Sequence, residues 1–116
     1  WTTDVTIDQV RIYDKALSPD EVTTLYNETT STASDTNVLD EGSGVALYSL
    51  DYDASDAGGN YDGTATDVTF GVDGQINYGA SFNGSSSFID INKSIFGTGD
   101  GTADDLASIR WYYKIR

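Results

Sequence analysis

The chain has 116 residues, no Cys, no His, and nineteen acidic against six basic residues for a formal charge of −13, enough for one domain or for one module with pieces of its neighbours. Without Cys or His there are no disulfides, no thiolate or imidazole metal sites and no nucleophile–His triads. The charge repels nucleic-acid phosphate and anionic lipid, and no apolar run approaches the roughly 18 to 20 residues of a bilayer span, so neither nucleic-acid binding nor membrane insertion is expected, and no signal peptide is read at the start.

In chain order, Val5 and Ile7 alternate and then the parity shifts to Val10 and Ile12, which predicts a strand with a bulge around Asp8 and Gln9. A helix over residues 19–27 follows from Ser18 as N-cap, Pro19 at the first position and Glu21 three residues after the cap, the pattern of a capping box. Its apolar stripe lasts about two turns, too short to hold alone in water. Leu17, Val22 and Leu25 are the expected anchors.

Residues 29–44 are rich in Ser, Thr, Asp and Gly with no apolar period, and read as a solvated linker. Strands are predicted at 46–52, 64–71, 79–84 and 87–92, with a turn cluster at 53–63. The segment from Ala107 to Arg116 alternates most cleanly, Ile109, Trp111, Tyr113 and Ile115 against Arg110, Tyr112, Lys114 and Arg116. Its open edge needs a neighbour. Short strands, Gly- and Asp-rich turns and one helix predict an all-β, antiparallel β-sandwich.

Residues 4–28 resemble the closing segment of a LamG-like domain of the concanavalin A-like lectin/glucanase superfamily. The pattern falls on Ile7, Asp8, Val10, Arg11, Ile12, Tyr13, Leu17, Ser18, Glu21, Val22, Leu25 and Tyr26. Residues 46–91 resemble the opening of the same family at Asp56, Gly59, Asn60, Gly63, Ala80, Phe82, Asn83, Gly84, Ile89 and Ile91. The resemblance implies a jelly-roll sandwich, with residues 1–28 as the last strand and helix of one module, 29–44 as linker and 45–116 as the first half of another. The ending stands before the beginning. That order fits a junction of tandem modules, a subunit completed by neighbouring copies, or a permuted sandwich, and in the first two cases a partner must supply missing strands.

Asp51, Asp53, Asp56 and Asp62, with Asn60, present oxygen ligands of the kind Ca²⁺ takes. An EF-hand loop is excluded by Asp56 at the position reserved for Gly and by flanks that read as strands. The competing reading makes Asp56 and Asn60 turn residues, with Gly58, Gly59 and Gly63 at positive φ. Tyr52 and Tyr61 flank this turn and are the candidates for stacking on sugar. A retaining glucanase needs two carboxyls about 5 Å apart, whereas Glu21, Glu28 and Glu41 fall in helix or linker; no enzyme is expected. Ser85, Ser86 and Ser87 follow Asn83-Gly84 as a turn without a base.

The expected function is a non-catalytic adhesion module of an extracellular, cell-surface or virion-surface protein, binding a glycan or a surface protein. The alternative is a structural subunit of a fibre, filament or capsid decoration, completed by strand exchange with copies of itself.

Overall fold

The computed structural model describes residues 4–91 and the backbone of a strand at 108–115. It is all-β with one short helix: β1 (Val5–Tyr13), α1 (Pro19–Tyr26), β2 (Gly44–Tyr48), β3 (Thr64–Thr66), β4 (Thr69–Asp73), β5 (Tyr78–Phe82), β6 (Phe88–Asp90) and β7 (Ser108–Ile115). Every pairing among these strands is antiparallel. Among the described residues no helix is long and apolar enough to cross a membrane.

β1 is the axis of the larger sheet. β5 pairs with its first half, Val5 to Ile7, and β2 with its second half, Val10 to Tyr13. β7 pairs along both halves, so β2 and β5 follow one another along one edge of β1 while β7 takes the other. β4 extends the sheet beyond β5, and β3 with β6 forms a separate two-stranded sheet. The last strand therefore finds one neighbour within the chain, across from the N-terminal segment. The side chains of β7, and residues 92–107 and Arg116, lie outside the described residues, so the two faces expected for that strand are not described.

The predicted bulge is present. Gln9 has φ of 54°, and β1 slips register against β7 between Asp8 and Arg11. A bulge adds one residue and reverses the facing of everything after it. Ile7, Val10 and Ile12 consequently meet one core, with Ala46, Tyr48, Leu50 and Ala80, against which Ile89 and Ile91 pack from the β6 segment. A cavity of about 230 Å³ opens between them, lined by Ile7 and Val10 of β1, Tyr48 and Leu50, Phe82 of β5, and Ile89 and Ile91.

The buried residues Thr6, Asp8, Arg11 and Tyr13 also belong to β1. Arg11 is held by the Glu28 carboxylate, and its Nη2 donates to the carbonyls of Thr32 at 2.8 Å and Asp35 at 3.2 Å. Both side chains of the pair are fully buried. The 29–44 segment, expected as a solvated linker, is thus tied to the sheet: besides these carbonyls, Asp14 N–H donates to Ser43 O and Gly44 N–H to Asn37 Oδ1. Composition does not show this because most of the ties run through backbone carbonyls, which any residue type supplies.

The capping box forms as predicted. Glu21 N–H donates to Ser18 Oγ and Ser18 N–H to Glu21 Oε1. Leu25 is fully buried and anchors α1, whereas Val22 is 49 % exposed and does not. Leu17 is half-buried just before the helix, and residues just beyond it are fixed by Arg11. The predicted strand at 64–71 is also divided: Asp67 turns at φ of 52°, placing β3 and β4 in different sheets.

Removing one partner of a buried ion pair leaves an uncompensated charge. Glu28→Ala is therefore expected to cost about 3 to 5 kcal/mol in urea unfolding, a large part of a typical domain's stability. A conservative Glu28→Gln, which keeps an acceptor near Arg11, should cost less.

Candidate functional site

The loop that leaves β2 and the hairpin between β4 and β5 meet at Asp51. Its backbone carbonyl accepts from Gly71 N–H at 2.9 Å, and its Oδ1 accepts from Tyr78 N–H at 3.2 Å. These two bonds bring Tyr52 beside Tyr78, ring centroids 5.3 Å apart with planes tilted by 48°. Tyr52 is 69 % exposed and Tyr78 39 %. Paired aromatic rings with this much free surface stand out, since large rings normally repay burial. Burial, then the neighbouring Tyr78 and Asp51, pushes the Tyr52 hydroxyl up from its ordinary range.

The hairpin under Tyr78 is held from below by Asp8, whose Oδ2 accepts from Ile76 N–H at 2.7 Å. Gly74 is required there: a Cβ would come within 2.6 Å of the Tyr78 carbonyl and 2.7 Å of Asp8 Oδ2. Asp8 Oδ1 is buried without a hydrogen-bond partner. Burial, opposed by the Ile76 amide and reinforced by the Asp51 charge, raises the Asp8 carboxyl to about 6. Burial also raises Asp51.

The five residues singled out as oxygen ligands do not converge. Asp56 is buried and spends both oxygens on backbone: Oδ1 accepts from Leu47 and Gly58 N–H at 3.0 Å, Oδ2 from Asn60 at 3.2 Å and Tyr61 at 3.1 Å. Asp62 Oδ1 accepts from Asp56 N–H at 2.9 Å. Asn60 is exposed and enters through its amide. Asp53 closes a turn on Ser55, accepting from its N–H at 3.0 Å and its hydroxyl at 2.6 Å, and the latter bond comes first in holding its carboxyl low. Asp51 faces Tyr78 instead. Among the described residues no three acidic side chains are arranged to hold a metal ion. Of the glycines expected at positive φ only Gly59 takes it; a Cβ on Gly63 would meet Ile89 Cγ2 at 2.6 Å, so close approach is what demands glycine there.

The two tyrosines separate as well. Tyr61 packs against the core, and its carbonyl accepts from the Tyr48 hydroxyl at 2.6 Å. Tyr48 is pushed up out of its usual range by burial and by the nearby Asp56 and Asp62 carboxylates. Tyr52 alone remains at the surface, and its companion is Tyr78. Nothing local marks Tyr78, because the pair is made by Asp51 reaching across 27 residues.

Asp56→Ala strands four amide donors and is expected to cost roughly 3 kcal/mol in urea unfolding. For Asp8, the folded state keeps its proton to about pH 6, and the unfolded chain releases it near the ordinary carboxyl value. The folded state binds more protons in between, so this contribution strengthens as pH falls through that window and is lost above it. The thermal midpoint should be higher near about pH 5 than near about pH 7.5, and Asp8→Asn, which keeps an oxygen for Ile76 N–H, should flatten the difference. Compared with protein-family models, curated proteins and solved structures, the chain has no match.

Proposed function

We propose that the chain is a non-catalytic adhesion module of a cell-surface or virion-surface protein and that it binds carbohydrate at Tyr52 and Tyr78. The observation that carries this reading is the exposed, tilted tyrosine pair fixed by Asp51. Sugar rings present C–H faces to aromatic rings and hydroxyls to flanking polar groups, and the pair offers both. The LamG-like resemblance supplies the adhesion context. The disposition of the glutamates supports a role without hydrolysis: Glu21 caps α1 and bonds Lys15 at 2.5 Å, Glu41 bonds the same lysine, and Glu28 is spent on Arg11. None is left as a member of a catalytic carboxyl pair.

A second reading, assembly into a fibre or shell, is favoured by a different observation, the open apolar cavity beside β6. An added strand would both pair with an edge and fill such a space.

A glycan array read with the parent chain and with Tyr52→Ala and Tyr78→Ala separates the two. The carbohydrate reading expects signal on a defined set of glycans and a loss of about fivefold in each variant, since a stacked ring contributes on the order of 1 kcal/mol. Unchanged signal in both variants, together with concentration-dependent growth in sedimentation that Val10→Asp abolishes, would move the assignment to assembly.

A further inference from the structure

We propose that the tyrosine pair is selective for glycans carrying free, protonated amines, such as de-N-acetylated hexosamine polymers, over neutral and sulfated ones; this rests on the carbohydrate reading above and names its ligand class. Three observations lead to it. The first is the identity of the neighbours. Tyr52 lies between Asp51 and Asp53 in sequence, and Asp73 of β4 is paired directly opposite Tyr78 of β5. Directly opposed residues of an antiparallel pair share a face of the sheet, and both are exposed. Asp51 thus adjoins Tyr52 and is bonded to Tyr78, and Asp73 shares the sheet face of Tyr78.

The second is the supply of opposite charge. Of the nineteen acidic residues only Asp100, Asp104 and Asp105 fall outside residues 4–91, and of the six basic residues only Arg11 and Lys15 fall inside. Arg11 is buried against Glu28, and Lys15 bonds Glu21 and Glu41. Among residues 4–91 no cation is left to meet a sulfate or a carboxylate on a ligand, and an anionic glycan would be repelled.

The third is the rings themselves. Two tyrosine rings in contact, with centroids 5.3 Å apart, present a joint outer surface, and an ammonium over a tyrosine face is attracted by the ring quadrupole, more so beside carboxylates. The same outer surface takes the apolar side of the sugar ring that bears the amine. Asp51 is pre-positioned, since its Oδ1 and its carbonyl are both held by the hairpin, so little freedom is lost there on binding.

The test compares three hexasaccharides on the full chain by calorimetry at low salt, just below neutral pH: a glucosamine oligomer, its N-acetylated counterpart and a sulfated oligosaccharide. The glucosamine oligomer is expected to bind about tenfold tighter than the acetylated one, a difference within reach of cation–π and carboxylate contacts, and to weaken as salt is added. Asp73→Asn and Asp51→Asn, the latter keeping an acceptor for Tyr78 N–H, should each shrink that preference, and Tyr52→Ala should remove it. Asp20→Asn on α1 makes the same change in net charge away from the rings and should leave the preference intact; if it shrinks the preference equally, attraction is spread over the whole acidic surface and the assignment to this site is wrong. Equal or better binding of the acetylated oligomer overturns the selectivity and leaves the carbohydrate reading standing. Tighter binding of the sulfated one also overturns the selectivity. No binding by any of the three, with the variants folded, overturns both.

Discussion

A single bulged strand sets the terms for the rest of the molecule. β1 pairs on one edge with β5 and then β2, and on the other with β7, so three stretches distant in sequence share one template. Gln9 is the joint. Its positive φ shifts the parity so that Ile7 joins Val10 and Ile12 at the apolar core. Without the extra residue, one half of β1 would turn its apolar side chains to the wrong face. Positive φ is costly for a residue with a Cβ, and the three flanking strands are what hold it.

The same strand buries two opposite charges, and each organises a different loop. Arg11 gathers Glu28 and two carbonyls, fixing the stretch after α1. Asp8 grips the β4–β5 hairpin at Ile76, two residues from Tyr78. Buried charges contribute little net stability compared with apolar side chains of the same size, yet they penalise every arrangement in which their partners are absent. Here they specify where a polar segment and a short hairpin must sit, which apolar contacts could not do for sequences so poor in apolar residues. The tyrosine pair inherits its geometry from this: Asp8 holds the hairpin from the inside, Asp51 from the outside, and Tyr52 and Tyr78 stand at the junction.

What could be read from the sequence divides along physical lines. Signals that depend on neighbours in the chain were legible. The Ser18–Glu21 box and most of the Asp56 turn rest on contacts within a few residues, the bulge at Gln9 shows as a local break in alternation, and all form. The break at Asp67 was hidden because Thr64, Thr66, Val68 and Phe70 keep their alternation through it, and periodicity does not register a single residue in the left-handed region. The fixing of the 29–44 segment is not legible because most of its ties use backbone carbonyls that meet a distant arginine and Asp14. For the candidate site, Tyr52 was visible from its place beside an Asp-rich turn. Tyr61, with the same local credentials, is claimed by the core, and Tyr78 is recruited through Asp51 from 27 residues away. Which tyrosine faces water is decided by the sheet, and no window of sequence contains that decision.

The two faces of β1 are closed by opposite means, and the contrast bears on how the module is completed. The polar face is closed by the Arg11–Glu28 pair, neither side chain exposed, and by bonds from Arg11 to carbonyls, although Arg11 Nε and the Gln9 amide find no partner among the described residues. The apolar face is met, among the described residues, by the β6 segment through Ile89 and Ile91, and a cavity of about 230 Å³ remains open between them. Polar closure is directional and finishes when the donors are used up, whereas apolar closure gains with every further area removed from water, at roughly 25 cal/mol per Å². The apolar face is therefore where additional surface stabilises the module most. A ligand at the tyrosine pair would not compete for that space, because the cavity lining contains neither Tyr52 nor Tyr78, so the carbohydrate and assembly readings are compatible in one protein.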